Sequence, residues 1–415
     1  MKIDRPLAVV GNLFFSLCLV FLPGASTDQR PEFRMQARMI SWSEASGWRP
    51  AAAPDEAGIV LYFGGREWMA NGSRYRELRQ LFPHAHVVGC STGGQIHDDD
   101  VSDDEVTAVA LRFDATRLKV VSEAIGGAEQ SRACGEKIGA RLFDDDLSGV
   151  IVLSDGLNVN GSELVAGITN VIGLSVPLTG GLAGDGADFR ETLVSADDVP
   201  RSNLVAAVGF YGPRVRFGHG SAAGWDVFGP RRRITRSAGN VLYELDGEPA
   251  LDLYEKYLGD EASGLPGSAL LFPLQIYSPQ RPDHPVVRTV LAIDRDAGSM
   301  TFAGDMQQGS VAQLMRGNFD RLAAGAGEAA RLASRGKAET DGGDTVAILV
   351  SCIGRRLLMG QRVTEELQAA TAELGPRTAR LGFYSYGEIA PHAGSGACEL
   401  HNQTMTVTVI GEASR

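Results

Sequence analysis

The alternation of apolar and polar stretches along the chain predicts three similar units of strands and helices. Each unit begins with an apolar run, continues through a loop of small residues into a helix, and returns in a second strand. A turn of glycine and polar residues ends that strand, and a third strand closes the unit. The opening runs are residues 59–63, 150–153 and 346–350, the helices 73–82, 162–172 and 362–374, and the closing runs 106–113, 204–210 and 405–410. This alternation predicts an α/β fold with mixed sheets.

The Gly-rich turns are the part of each unit in which we expect chemistry. They occupy residues 87–95, 177–185 and 381–388, and the last one ends in Glu388. Glycine allows backbone conformations and close approaches that a side chain would block. A polar His-Asn-Gln-Thr run at 401–404 follows, so a carboxylate and several hydrogen-bonding groups lie at neighbouring strand ends. Pockets commonly form there, and the alternative is a hairpin return that binds nothing.

Between the second and third units, the sequence predicts further strands and two more helices. Strands are expected within residues 203–247, 270–277 and 286–295, and helices over 249–260 and from 311 to about 334. The Gly/Ser/Pro-rich stretch 262–268 is typical of a domain seam. We therefore predict two associated α/β modules, residues 35–246 and 247–411, built from strand–helix–strand–Gly-turn–strand units and preceded by a leader at 1–34.

The leader has the pattern of an export signal. A weakly basic start, an apolar run at 7–22 and a small-residue stretch at 23–26 follow in the order of a signal peptide and its cleavage region. The apolar run is short for a membrane-spanning helix. The alternative is a misassigned start, because Met35 or Met39 would open an ordinary N-terminus.

Composition and charge narrow the expected function. The chain has 415 residues, with 39 Lys and Arg against 51 Asp and Glu, and a net charge of −12. This charge lacks the basic field through which proteins bind nucleic acid, so nucleic acid is not an expected partner. The five cysteines are widely spaced and form no CxxC pair, which argues against a zinc site or a disulfide framework. We expect a cytoplasmic protein, with export as the alternative if residues 1–26 form a genuine signal peptide.

Several short motifs suggest enzyme or ion chemistry but stand in the wrong context. Residues 89–93 match the nucleophile elbow of α/β-hydrolases, yet an acidic loop follows where that elbow requires a helix. Cys90 is a candidate thiol nucleophile with His86, but no third orienting group is visible. The acidic run 98–105 lacks the glycine and spacing of an EF-hand calcium loop, and the Gly-rich run 180–186 lacks the Lys-Ser/Thr of a phosphate-binding loop.

Several stretches of the chain resemble FIST-domain proteins, a bacterial sensory family with an N-terminal and a C-terminal FIST module. The most specific are Gly382-Phe-Tyr-Ser-Tyr-Gly-Glu-Ile-Ala-Pro391 and the later Leu400-His-Asn-Gln-Thr404. The others are Val88-Gly-Cys-Ser-Thr-Gly-Gly-Gln95, Gly180-Gly-Leu-Ala-Gly-Asp185, Asp246-Gly-Glu-Pro-Ala250 and Ser351-Cys-Ile-Gly-Arg355. The resemblance implies a stand-alone sensory protein that binds a small ligand, such as an amino acid, and passes its signal to a separate signalling protein.

The same family includes a haem-containing branch that senses nitric oxide. Its C-terminal signature resembles Gly-Phe-Asn-Thr-Tyr-Gly-Glu, without the Ile-Ala-Pro that follows Glu388 here. The chain is more similar to the general branch, so we expect no cofactor and no metal. Haem-based sensing is the alternative, with His219 as its candidate ligand.

An amino acid needs one positive and one negative partner, and the sequence offers both. Arg288 and Arg355 are expected to contact its carboxylate, since arginine suits a bidentate contact. Glu388 is expected to receive its amino group or to pair with an arginine, and an internal Arg355–Glu388 salt bridge is the alternative. The predicted ligand-binding residues are Cys90, Ser91, Thr92, Gly181, Asp185, Arg288, Cys352, Arg355, Tyr386, Glu388, Asn402 and Thr404.

Two other classes of function remain beside the sensor. One is an enzyme that uses Cys90, Cys352 or Glu388, although no catalytic residue is predicted. The other is a purely structural interaction protein. In the sensor, we expect ligand binding to shift the relation between the two modules.

Overall fold

Among the residues that the structure describes there are four β-sheets, and three of them have six strands each. The computed structural model describes residues 35–50, 56–336, 343–392 and 396–413. These residues belong to one compact unit. The predicted leader at 1–34 lies outside the described residues.

The strands fall into three stretches of the chain. The strands before residue 212 are β1 (Gln36–Ser43), β2 (Gly47–Arg49), β3 (Ile59–Gly64), β4 (His86–Ser91), β5 (Gln95–His97), β6 (Asp100–Ser102), β7 (Glu105–Arg112), β8 (Arg117–Ala124), β9 (Leu147–Ser154), β10 (Leu178–Leu182), β11 (Val194–Ala196) and β12 (Leu204–Tyr211). The middle strands are β13 (Val215–Ala222), β14 (Trp225–Val227), β15 (Arg232–Ala238), β16 (Val241–Leu245), β17 (Glu248–Pro249), β18 (Leu274–Ser278), β19 (Arg281–Arg288), β20 (Val290–Asp294), β21 (Ser299–Phe302) and β22 (Val311–Gly317). The last strands are β23 (Thr345–Cys352), β24 (Thr378–Ser385), β25 (Gly387–Pro391), β26 (Cys398–His401) and β27 (Met405–Glu412).

The α-helices connect and cover these strands. They are α1 (Arg66–Met69), α2 (Ser73–Leu81), α3 (Ser131–Leu142), α4 (Gly161–Ile172), α5 (Ala250–Leu258), α6 (Phe319–Gly336), α7 (Ile353–Met359) and α8 (Val363–Ala372). Among the described residues, no helix is long and apolar enough to span a membrane. The cytoplasmic location stays a prediction.

Each of the three predicted units forms the centre of one six-stranded sheet. The opening strand pairs in parallel with the second strand and antiparallel with the closing strand of its own unit. These strands are β3, β4 and β7 in the first sheet, β9, β10 and β12 in the second, and β23, β24 and β27 in the third. Helices α2, α4 and α8 lie in the crossovers that the parallel pairs require. The predicted α/β fold with mixed sheets is confirmed.

A glycine occupies the same position in the second strand of every unit. It lies opposite an opening-strand residue, and a Cβ atom added to it would come within 2.1 Å of that residue's carbonyl oxygen. The pairs are Gly89 with Tyr62, Gly180 with Val152, and Gly382 with Leu349. A larger residue would push the two parallel strands apart, so each unit requires glycine at this point.

The strand that follows each Gly-rich turn leaves its own unit and joins the sheet of another. After the first turn, β5 pairs with β24 in the third sheet. After the third turn, β25 pairs with β10 in the second sheet, and after the second turn, β11 pairs with β4 in the first. Each unit contributes one strand to the sheet of another unit, and its own sheet receives one strand in return. The exchange among the three units is therefore closed.

This exchange crosses the predicted module boundary at residues 246 and 247. The second sheet holds β25 and β26 beside strands from the first half of the chain, and the third sheet holds β5, β6 and β13 beside strands from the second half. Strands from both halves also build the fourth sheet. The two modules, which stay a prediction, therefore share their sheets.

The three six-stranded sheets meet along their inner faces in one core. Side chains alternate along the opening strands, so that Leu61, Ile151 and Ile348 face the other sheets while their neighbours face helices. The rings of Phe63 and Phe383 join the first and third sheets, with centroids 4.7 Å apart. Helix α2 covers the first sheet, α3 and α4 the second, and α6 and α8 the third.

The fourth sheet is antiparallel and has a core of its own. Its strands follow the order β19-β18-β22-β15-β16-β21-β20, with β14 beside β22 and β17 beside β16. Helix α5 packs on β16 and β21. The core includes Ile234, Tyr254, Leu274 and Phe302. In sequence, this sheet lies between the second and third units.

Three stretches differ from the sequence prediction, and in one of them strand β8 and helix α3 form where no element was predicted. Residues 311–334, predicted as one helix, form strand β22 and then helix α6, with Asn318 between them. The side chain of Asn318 accepts the backbone N–H of Arg321 at 3.2 Å, which is the contact of a helix N-cap. Within residues 40–58, for which no strand was predicted, β1 pairs with β7 and β2 extends the first sheet.

We expect Gly382→Ala to lower the free energy of unfolding by about 3 kcal/mol, because the added methyl group forces β24 away from β23. Urea unfolding followed by far-ultraviolet circular dichroism measures this change. Gly267→Ala is the control, since a Cβ atom there meets nothing within 4 Å. Equal loss of stability in both variants would contradict the role of Gly382.

Candidate functional site

Arg355 is bound inside the protein and does not pair with Glu388. Its guanidinium contacts the carboxylate of Glu366, with Nη2 at 2.7 Å from Oε2, and both side chains are fully buried. It also donates to the carbonyl oxygens of Ala223 and Leu322. These contacts correct the expectation that Arg355 meets a ligand or Glu388.

Glu366 binds three side chains at once. Besides Arg355, it accepts hydrogen bonds at Oε1 from the hydroxyl groups of Ser351 at 3.1 Å and Tyr384 at 2.8 Å. The sequence does hold a signal for its burial. Glu366 has the helical spacing of the buried residues Val363 and Ala370 of α8, so it faces the core. A carboxylate on that face needs a buried partner.

Glu388 is a buried acid held by hydroxyl groups. Ser385 Oγ donates to Oε1 at 2.7 Å, and Thr404 donates to Oε2 through Oγ1 at 2.9 Å and its backbone N–H at 3.2 Å. Burial raises the pKa of Glu388 to about 8, and these hydrogen bonds oppose the shift. Gly181 lies opposite Glu388 in the β10–β25 pairing. The structure thus brings Glu388, Thr404 and Gly181 together.

Asn402 has unused hydrogen-bonding groups close to this cluster. The side chain is fully buried, and among the described residues neither atom of its amide has a hydrogen-bond partner. A Cβ atom on Gly387 would lie 3.6 Å from Nδ2. The next residue, Gln403, has a φ of +60° and donates from Nε2 to the carbonyl oxygen of Leu270 at 3.1 Å.

Two predicted thiols are buried and hold their protons. Burial raises the pKa of Cys90 well above its ordinary value. Burial also raises the pKa of Cys352, and the negative charge of Glu388 adds to that shift. A protonated thiol is a poor nucleophile. The two side chains therefore do not support a thiol-based enzyme.

Ser91 and Thr92 shape the first Gly-rich turn. Ser91 Oγ accepts the backbone N–H of Leu193 at 2.9 Å. Thr92 Oγ1 accepts the backbone N–H of Gly94 at 3.1 Å and donates to Gln95 Oε1 at 3.3 Å. Both hydroxyl groups hold the local backbone in place.

Asp185 and Tyr386 hold the loop after the second Gly-rich turn. The hydroxyl group of Tyr386 donates to Asp185 Oδ1, and Oδ2 accepts the backbone N–H groups of Arg190 and Glu191, each at 2.9 Å. Phe189 stacks on Tyr386 with ring centroids 4.5 Å apart. The carboxylate of Asp185 is thus used by the loop itself.

His219, the candidate haem ligand, lies in β13 opposite Thr408 of β27. Burial lowers the pKa of His219, so the imidazole is neutral at neutral pH. Among the described residues, no three His, Cys, Asp or Glu side chains gather in a group that could hold a metal ion. Haem-based sensing stays a prediction.

A cavity of about 510 Å³ lies between helix α4, strand β26 and the β18–β19 pair. Sites for small molecules commonly measure about 300–1,000 Å³. Of the predicted ligand-binding residues, Arg288 lines this cavity and the others do not. Its polar lining also includes Asp305, Ser162 and Ser310.

Arg288 is 7% exposed and has carbonyl groups as partners. Nη1 donates to the carbonyl oxygens of Val287 and Leu400, each at 3.1 Å, and Nε donates to that of Asp305 at 3.3 Å. Among the described residues, Arg288 forms no ion pair. Burial lowers the pKa of Arg288 to about 10, and the charge of Asp305 opposes the shift. The side chain is still a cation at neutral pH.

Three further residues line the cavity with Arg288, and the sequence did not predict them. Asp305 accepts a hydrogen bond at Oδ1 from Asn160 Nδ2 at 2.8 Å, and Oδ2 has no donor within the described part of the chain. The hydroxyl groups of Ser162 and Ser310 are buried and likewise have no hydrogen-bond partner there. Asp305 and Ser310 lie in a loop without periodicity, so no pattern in the sequence connects them with α4.

Comparison with known protein families shows the family to which the chain belongs. Residues 58–248 match the FIST N domain, and residues 250–391 match the FIST C domain. The chain belongs to the FIST family. FIST domains are associated with sensory signal transduction and small-ligand binding.

The proteins similar to the chain include a curated relative and a solved structure. An uncharacterized protein of Methanocaldococcus jannaschii is 28% identical over 196 residues, which make up 44% of this chain and 36% of that protein. The chain thus spans about a third of the length of this curated relative. The crystal structure of the cyanuric acid hydrolase from A. caulinodans has a TM-score of 0.36 and 9% identity, with 91% of this chain and 99% of that chain covered.

The cavity lies between the two FIST regions. Ser162 and Val165 of helix α4 belong to the FIST N region, whereas Arg288, Asp305 and Ser310 belong to the FIST C region. A molecule in this cavity would therefore contact both regions at once.

We expect Glu366→Gln to lower the free energy of unfolding by about 3–5 kcal/mol, because it leaves Arg355 buried without a carboxylate. The double variant Arg355→Met/Glu366→Leu removes both charges, and we expect it to recover most of the loss. Guanidinium unfolding of the two variants and the wild type makes the comparison. A double variant as unstable as Glu366→Gln would argue against a buried ion pair.

The pH dependence of stability tests the burial of Glu388. Unfolded glutamate titrates near about pH 4.3, whereas folded Glu388 has a pKa of about 8. Between these values the folded state keeps a proton that the unfolded state has lost. The stabilising effect of this group is therefore complete below about pH 4.3 and is lost as the pH rises towards 8.

We expect Glu388→Gln, which cannot titrate, to gain stability relative to the wild type as the pH rises from about 5 to about 8. The gain is at most about 1.4 kcal/mol for each pH unit. Urea unfolding at several pH values measures the difference between the two proteins. A difference that does not change with pH would mean that Glu388 titrates normally.

Proposed function

We propose that this FIST protein is a sensor that binds a small zwitterion, such as an amino acid, in the cavity between its FIST N and FIST C regions. Arg288 carries the proposal. It is a buried cation that lines the cavity and forms no ion pair among the described residues. A buried charge is costly without an opposite charge, and a ligand carboxylate supplies one.

The surroundings of Arg288 favour a carboxylate. A Cβ atom on Gly304 would lie 2.8 Å from Arg288 Nε and 3.1 Å from Ser162 Oγ, so these two donors are close neighbours. Elsewhere in the cavity lining, Ser310 has a buried hydroxyl group without a hydrogen-bond partner among the described residues. Helix α4 begins at Gly161, and the partial positive charge at a helix N-terminus also favours an anion. A side chain at position 304 would clash with both donors, so this close arrangement requires glycine.

Asp305 supplies the negative partner that the sequence analysis assigned to Glu388. Its Oδ2 atom has no donor among the described residues and is available to a ligand ammonium group. The charges of Arg288 and Asp305 in the lining together favour a ligand that carries a positive as well as a negative charge. A ligand with both charges therefore complements this cavity better than a simple anion does.

Binding at this position provides a route from ligand to signal. The ligand would contact α4 on one side and β19 on the other, and so favour those conformations in which the two FIST regions are close. A ligand at 100 times its Kd stabilises the bound state by about 2.7 kcal/mol. In this proposal, a separate signalling protein reads that change.

We expect Arg288→Ala to weaken amino acid binding about 100-fold or more, because a charge-assisted contact in a buried site is lost. Isothermal titration calorimetry and native mass spectrometry with a panel of amino acids measure the effect. Arg236→Ala is the matched control, since Arg236 is exposed and paired with Glu244 away from the cavity lining. Equal amino acid binding by the wild type and Arg288→Ala would rule out the proposal.

Asp305→Asn tests the second charge in the same experiment. Leucine and 4-methylpentanoate, which lacks only the amino group, are the two probes. We expect Asp305→Asn to weaken leucine about tenfold or more and to leave 4-methylpentanoate unchanged. Asp252→Asn, on an exposed position of α5, is its control. If Asp305→Asn weakened the binding of both probes to the same degree, Asp305 would not be the partner of the ligand's amino group.

A further inference from the structure

We infer that the ligand has an apolar side chain that lies along one face of helix α4, and that Ala166 sets the size of side chain the cavity accepts. This inference rests on the proposed function. It adds the chemical class of the ligand's side chain, which the charged end of the cavity does not determine.

One face of helix α4 forms a wall of the cavity along about two turns. Ser162, Val165, Ala166 and Thr169 line it, and they follow the spacing of a single helix face. This stretch is about 10 Å long, since each residue advances an α-helix by about 1.5 Å. The wall begins at Ser162 beside Arg288 and becomes apolar one turn later.

The opposite wall is also apolar next to Arg288, and the polar residues Ser278 and Gln307 line the cavity beyond that apolar part. Arg288 and Val286 lie two residues apart on β19, so their side chains point to the same face. Ile276 of β18 pairs with Val286 and lines the cavity with it. The apolar parts of the two walls therefore face each other next to the charged end.

These walls select the part of the ligand that extends from its charged head. With the carboxylate at Arg288 and the ammonium group at Asp305, the side chain of an amino acid enters the space between Val165, Ala166 and Val286. Each methylene group buried there tightens binding about fourfold. A charged or strongly polar side chain would find no hydrogen-bond partner among the side chains of Val165, Ala166, Ile276 and Val286.

Ala166 is the smallest residue on this part of the helix wall. It is half-buried and lies between Val165 and Thr169 on the lined face. Its single methyl group leaves space that a larger residue would fill. Leucine at this position is compatible with the helix, because its helix propensity is close to that of alanine.

Calorimetric titration with glycine, alanine, leucine, phenylalanine, serine and glutamate tests the inference on the full chain. For the wild type, we expect leucine or phenylalanine to bind at least about tenfold more tightly than alanine, serine or glutamate. For Ala166→Leu, we expect leucine binding to weaken at least about tenfold, while glycine and alanine change less than about threefold. Ala140→Leu, on an exposed position of α3, is the control and should keep the wild-type order.

The outcomes separate this inference from the proposed function. Tighter wild-type binding of serine or glutamate than of leucine would overturn the apolar side chain and leave the zwitterion site standing. Leucine binding that is unchanged in Ala166→Leu would overturn the role of Ala166. Failure of every amino acid to bind the wild type would overturn both the proposed function and this inference.

Discussion

Each of the three six-stranded sheets depends on one glycine, at which two parallel strands approach each other closely. At Gly89, Gly180 and Gly382 the second strand of each unit lies against a carbonyl group of the opening strand. After each of these glycines the chain leaves its own unit, and the next strand joins another sheet. Because the exchange is closed, no six-stranded sheet is complete without a strand from a different unit. The shared core then holds the three sheets together.

Two buried arginines show how this framework separates structural from binding roles. Arg355 lies in the third unit, where Glu366 of the next helix neutralises it within the core. Arg288 lies at the end of β19, where the exchanged β25–β26 hairpin meets the fourth sheet, and there its partners are carbonyl groups. The same hairpin carries Leu400, whose carbonyl oxygen accepts from Arg288. The strand exchange therefore positions the candidate site as well as the core.

The sequence predicted those parts of the fold that depend on short-range patterns of apolar residues and glycines. The three units follow from apolar runs and Gly-rich turns, because both are short-range features. Strand β22 was missed because its sequence continues into helix α6 with no proline between them. Arg288 was predicted to contact a ligand carboxylate, and the structure places it in the lining of a cavity. Its neighbours Asp305 and Ser310 lie in a loop, and only the packing of that loop against α4 brings them to the site. Arg355 was expected to contact a ligand carboxylate or Glu388, but its partner is Glu366. The position of Glu366 on the buried face of α8 indicates that this carboxylate needs a buried partner.

The closed exchange of strands also has a consequence for synthesis on the ribosome. Strand β5 ends at His97, but its partner β24 begins only at Thr378. At ordinary rates of translation, this interval lasts on the order of tens of seconds. During that time the first unit has an unpaired strand edge, which is the kind of surface that draws strands of other chains into aggregates. Chaperone binding to the nascent chain would be most useful in this window, and release should follow once β24 has emerged.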